Sequence, residues 1–116
     1  MNTKLMNAID SDFAFAVEDY LQHIMGDYCG WNKNDTAVGA QMREEFILGV
    51  RVDIGNKYAK VVTRGSVHSF IVLRDGGKFR KGDILKANTW TAPATNFVRG
   101  NVLTKNYKNA TWTGIL

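Results

Sequence analysis

Val50-Arg51-Val52-Asp53-Ile54-Gly55-Asn56-Lys57-Tyr58-Ala59-Lys60-Val61-Val62-Thr63 is the stretch in which the chain changes its period. Apolar Val50, Val52 and Ile54 alternate with charged Arg51 and Asp53, the signature of a half-buried strand. Gly55-Asn56 then separates two β-rich runs, which predicts a tight two-residue hairpin of type II′. Everything before Gly49 repeats differently, so the fold divides here.

On the N-terminal side, Phe13, Ala16, Val17, Tyr20, Leu21, Ile24 and Met25 recur with the helical period, while Glu18, Asp19 and Gln22 fall on the other face. This predicts a helix from Asp12 to Met25, capped by Asp10 or Ser11 and stopped at Gly26. Residues 26–35, dense in Gly, Asn and Asp, read as a loop that carries Tyr28, Cys29 and Trp31. A second helix is expected from Thr36 to about Leu48, capped by Asp35, with Val38, Met42 and Phe46 on its apolar face.

On the C-terminal side, Arg64-Gly65-Ser66 turns the chain into Val67-His68-Ser69-Phe70-Ile71-Val72-Leu73, apolar on both faces and therefore a central strand. Asp75-Gly76-Gly77 makes the next turn, and residues 79–87 feed a further strand. Residues 88–100, around the single proline Pro93, read as a long surface loop, with short strands at Val102-Leu103 and from Ala110 to Ile115. The expected fold is α+β in one domain, residues 1–116. Two N-terminal helices (residues 1–48, acidic) pack on a C-terminal antiparallel, curved β-sheet or small barrel (residues 49–116, basic).

Charge divides along nearly the same line. Residues 1–56 carry nine Asp/Glu against four Lys/Arg; residues 57–116 carry eleven Lys/Arg against only Asp75 and Asp83. A formal −5 thus precedes a +9, and a polyanionic or acidic partner is expected for the basic half. A single cysteine, Cys29, excludes an intramolecular disulfide. The chain has no apolar run near the roughly 20 residues of a membrane span, and Met1–Asn7 lacks the features of a signal peptide. The expected location is the cytoplasm, away from membranes.

The segment from Val67 to Val102 resembles small accessory proteins of tailed bacteriophages. The likeness rests on Val67-His68-Ser69-Phe70-Ile71, Gly82-Asp83-Ile84-Leu85-Lys86-Ala87, Trp90-Thr91-Ala92-Pro93-Ala94, Asn96 and Arg99-Gly100-Asn101-Val102. It covers about a third of the chain. The resemblance implies a viral context, hence a host cytoplasm, and no enzymatic role.

The residues that carry a binding chemistry are Lys78, Phe79, Arg80, Lys81, Lys86, Trp90, Arg99, Lys105, Tyr107 and Lys108. Cations neutralise phosphates or acidic surfaces, and rings offer stacking faces or interface anchors. Two readings follow. In the first, the basic half engages a host or defence protein with an acidic surface, with Tyr28 and Trp31 as further anchors. In the alternative, the same surface binds nucleic acid directly with weak sequence preference.

Catalysis is a remote reading, confined to a Cys29 dyad with His68 or His23, for which no orienting acid is identifiable. His68 alternates with Phe70 and Val72 and reads better as a satisfied sheet histidine. Two histidines and one cysteine at unrelated spacings give no zinc signature, and no cofactor is implied. A homo-oligomer is compatible with all of this.

Overall fold

The computed structural model describes residues 11–116. The signal-peptide reading of the N-terminus and the Asp10 cap lie outside them. Helix α1 spans Ser11–Trp31 and helix α2 spans Ala37–Leu48. Four strands follow, β1 (Arg51–Ile54), β2 (Tyr58–Thr63), β3 (Ser66–Val72) and β4 (Ile84–Lys86), joined as an antiparallel sheet in the order β1-β2-β3-β4. The architecture is α+β, and the sheet is curved but open, so the barrel alternative falls. A separate two-stranded hairpin, β5 (Ala110–Thr111) with β6 (Gly114–Ile115), closes the chain.

Helix α1 does not stop at Gly26. Phe13, Val17, Tyr20, Ile24 and Tyr28 form one buried stripe along its 21 residues. Tyr28 continues that stripe and stacks on Phe46 of α2, with ring centroids 4.2 Å apart and planes 6° apart. Burial of that ring outweighs the roughly 1 kcal/mol that each helical glycine costs. The expected 26–35 loop shrinks to a short connection, in which Arg43 donates to the carbonyls of Asn32 (3.0 Å) and Asn34 (2.8 Å). The cap of α2 is Thr36, not Asp35: its hydroxyl accepts from the Gly39 N–H at 3.1 Å. Helix α2 buries only Gly39 and Phe46, so the expected apolar face is mostly in solvent, Val38 being 65% exposed.

The first hairpin also departs from expectation. Ile54 pairs with Ala59 and the Gly55 N–H donates to the Tyr58 carbonyl, so the turn centres on Asn56-Lys57, and no residue in it has positive φ. The second hairpin is the primed one: Arg64 (φ 51°) and Gly65 (φ 74°) both sit in the left-handed region between Thr63 and Ser66. Pairing of β2 with β3 then slips by one residue, with Val61 opposite Ser69 but Val62 opposite Val67. His68 is the extra residue of this bulge. It shares with Ser69 the face turned toward α1, while Val67 and Phe70 face away.

Two apolar layers result. On the inner face Val52, Ala59, Val61, Ile71 and Ile84 pack with the α1 stripe; on the outer face Phe70, Val72 and Leu85 pack with Tyr58, Val67, Phe79 and Ala87. The expected 88–100 surface loop runs along the free edge of β4. Ala94 and Arg99 donate to the Lys86 and Ile84 carbonyls, and Pro93 bridges Ala87. A proline, lacking an N–H, suits such an irregular edge. Val102-Leu103 is a turn rather than a strand, and Ala110 to Ile115 folds back on itself instead of entering the main sheet.

Candidate functional site: the outer face of the sheet

Strand alternation sends Tyr58, Lys60 and Val62 of β2 to the side away from α1, opposite Val72, Phe70 and Val67 of β3. Among the described residues no helix covers this side. Three adjoining hollows of about 430, 350 and 320 Å³ cross it. The first lies among Tyr58, Val72, Arg74 and Phe79, and the second among Lys57, Tyr58, Lys60 and Phe70. The third lies among Val67, Ala87 and Trp90. The first two share Lys57 and Tyr58. Lys60 links the second to the third, because its ammonium sits 4.3 Å over the Trp90 ring and donates to the Trp90 carbonyl at 3.1 Å.

The cations along this track are Lys57, Lys60, Arg74 and Lys78. Among the described residues the one ion pair is Arg51–Asp53, at 3.3 Å. Both carboxylates of the basic half are occupied by backbone. Asp75 accepts from the Lys81 N–H at 2.8 Å, and buried Asp83 from the Arg80 N–H at 2.8 Å and from the Asn101 side chain at 2.9 Å. Two carboxylates stand on the hollows: Asp53, opposite Lys60 and paired with Arg51, lines the second, and Asp75 lines the first.

The residues read from the sequence disperse. Lys78, Phe79 and Trp90 lie on the track, with the Lys78 ammonium 5.4 Å over the Phe79 ring. Arg80 is exposed beside it. Lys86 opposes Ser69, so it leaves β4 on the α1 side. The Lys81 ammonium lies 5.2 Å over the Phe13 ring of α1. Arg99 covers Phe97 at 3.8 Å and donates to the Leu116 carbonyl at 2.8 Å. Lys105 (φ 56°) tips a turn, and Lys108 is exposed just before β5. Tyr107 belongs to the α1 interface, where its hydroxyl donates to Asp19 at 2.7 Å. Burial first, and the Asp19 carboxylate second, push that phenol well above its ordinary value.

Sequence reasoning missed Lys57, Tyr58, Lys60, Phe70 and Arg74. The signal was present in the alternation of β2, where Tyr58 and Lys60 share a parity opposite to Ala59 and Val61.

The histidines are committed elsewhere. The His68 Nε2–H donates to the Thr111 carbonyl at 2.6 Å, and its Nδ1 accepts from the Ser69 hydroxyl at 2.9 Å. Ser69 in turn accepts from the Tyr20 hydroxyl at 2.8 Å. Burial drives the His68 pKa below its ordinary value and that of Tyr20 above it. His23 donates to the Ala110 carbonyl at 3.1 Å. Cys29 is half-buried on α1.

Among the described residues no group of His, Cys, Asp and Glu is arranged to hold a metal ion, and no helix is long and apolar enough to cross a membrane. No protein-family model, curated protein or solved structure matches this chain.

Proposed function

We propose that this protein is a non-enzymatic binding module whose outer sheet face takes single-stranded nucleic acid. The observation that carries the reading is the track itself. Lys57, Lys60, Arg74 and Lys78 form no ion pair among the described residues and outnumber the track's carboxylates, Asp53 and Asp75. They alternate with the rings of Phe79, Tyr58 and Trp90 along a curved sheet face that no described helix covers. Phosphates favour the cations through counterion release, and unpaired bases favour ring faces. Weak sequence preference follows, since stacking is tolerant of base identity.

The test is binding of labelled oligo-dT and oligo-U between about 50 and 200 mM salt. Affinity should fall steeply with salt. Reversing Lys57, Lys60, Arg74 and Lys78 to Glu should weaken binding in graded steps and flatten the salt slope. Reversing Lys105 and Lys108 should leave both unchanged. Trp90→Ala should cost about 1–3 kcal/mol. Absence of binding at low salt, or indifference to the four reversals, would sink the proposal.

A second reading has its own support. Trp90, 48% exposed, and Phe97, 55% exposed, are each covered by a cation, a pairing typical of protein interface anchors. In this reading the basic half meets the acidic surface of a host or defence protein, in keeping with the resemblance to phage accessory proteins. It expects no oligonucleotide binding, and a loss concentrated in Trp90→Ala and Phe97→Ala.

A further inference from the structure

A second concavity lies on the helix side of the sheet, where the end of α1, α2, the β2–β3 turn and the β5–β6 hairpin meet; Arg64 of that turn lines it, while Gly65 and Ser66 line the third outer hollow. It encloses about 490 Å³, lined by Tyr28, Trp31, Met42, Phe46, Arg64 and Trp112, with Glu45 at its rim. The stacked, buried rings of Tyr28 and Phe46 are set against Trp112, whose plane stands nearly perpendicular to both, at 82° and 85°. Trp31 lies 4.8 Å from Trp112 and is 64% exposed; Met42 is 45% exposed. Large apolar side chains held in water beside a ring-lined hollow gain free energy when something covers them.

The charge at the hollow is specific. Arg64 occupies a left-handed position in its turn (φ 51°), a conformation that favours Gly or Asn and costs an arginine on the order of 1 kcal/mol. That turn sets the guanidinium 4.8 Å over the Trp112 ring. Among the described residues no acceptor takes its N–H groups. A guanidinium stacked on an indole presents a ready fork for a carboxylate. Glu45, whose carboxylate accepts from Gln41 at 3.1 Å, stands on the same hollow and opposes any densely anionic ligand. A polynucleotide therefore fits poorly. A single carboxylate beside an apolar group fits well.

We infer that this hollow binds a segment of a protein partner in which an aromatic or long aliphatic side chain stands next to one carboxylate. The apolar side chain enters among Trp31, Met42 and Trp112, and the carboxylate meets Arg64. The site is independent of the outer sheet face and stands whether or not that face binds nucleic acid.

The test follows the indole N–H resonances of the ¹⁵N-labelled protein during titration with the unlabelled peptide acetyl-Gly-Phe-Asp-Gly-amide. The Trp31 and Trp112 signals should shift saturably while that of Trp90, on the opposite face, stays still. Acetyl-Gly-Phe-Lys-Gly-amide should bind about five-fold more weakly, the upper end of what an exposed ion pair supplies. Arg64→Asn, which suits the left-handed turn, should erase that preference, and exposed Trp31→Ala should abolish the shift at Trp112. Equal binding of the two peptides, no saturable shift, or a shift confined to Trp90 would overturn the assignment.

Discussion

Tyr20, Ser69 and His68 form a relay of hydrogen bonds whose direction is set at one end. The Thr111 carbonyl only accepts, so Nε2 of His68 carries the proton and its Nδ1 must accept from Ser69. Ser69 then accepts from Tyr20. Removing the first donor by Tyr20→Phe leaves a buried hydroxyl short of a partner and should cost about 1–3 kcal/mol, read from urea unfolding.

Protonating His68 would force a second donor against Ser69, which agrees with the lowering of its pKa by burial. The unfolded chain binds that proton near pH 6.5 and the folded chain only at lower pH. The neutral histidine's contribution is therefore fully present above about pH 6.5 and is lost as pH falls through the lowered folded value. The urea midpoint should drop between pH 7 and 5, and should drop less in His68→Gln. An identical pH profile in the variant would contradict a neutral buried His68.

At the scale of elements, the helical stripe and the change of period at Gly49 were legible in the residues, because burial and periodicity are local signals. Helix ends were not. Gly26 carries the local signature of a stop, yet α1 runs through it because Tyr28 has a distant partner in Phe46. Gly26 and Gly30 have open space where a Cβ would stand, so Gly26→Ala and Gly30→Ala should each stabilise by about 0.5–1 kcal/mol in thermal melts. Gly39→Ala should do the reverse, since its Cβ would collide with the Asn34 backbone carbonyl.

The outer-face track was half legible for a similar reason. Lys78 and Phe79 are sequence neighbours of other cations, whereas Lys60 reaches Trp90 only through the β2–β3 register and the edge segment beside β4. The bulge at His68 has no sequence signature, because the Tyr20–Ser69–His68 contact that accompanies it joins residues 48 and 49 positions apart. Asp19 reads as a solvated helix face and Asp27 as a loop residue, but they hold Tyr107 (2.7 Å) and the Trp112 N–H (2.8 Å), partners 88 and 85 residues away.

Across the whole molecule, the β5–β6 hairpin fastens the helical half to the sheet. The Thr111 carbonyl accepts a hydrogen bond from His68 and the Ala110 carbonyl one from His23, Asp27 holds the Trp112 backbone, and Ile115 is buried in the common core. Truncation before Ala110 should cost more than about 4 kcal/mol, in the range reserved for broken buried networks. Near-ultraviolet circular dichroism should then be lost while helical signal persists. Retention of a single cooperative transition in that variant would show the hairpin to be dispensable.

The same hairpin sets a timetable. Synthesis proceeds at roughly 5–20 residues per second, far slower than helices and hairpins form. Helix α1 and the meander β1–β4 therefore emerge with time to spare, yet the relay behind Tyr20 and the ring cluster around Tyr28 stay open until Ala110–Ile115 leaves the ribosome. Until then the Tyr28–Phe46 face lacks the cover of Trp112.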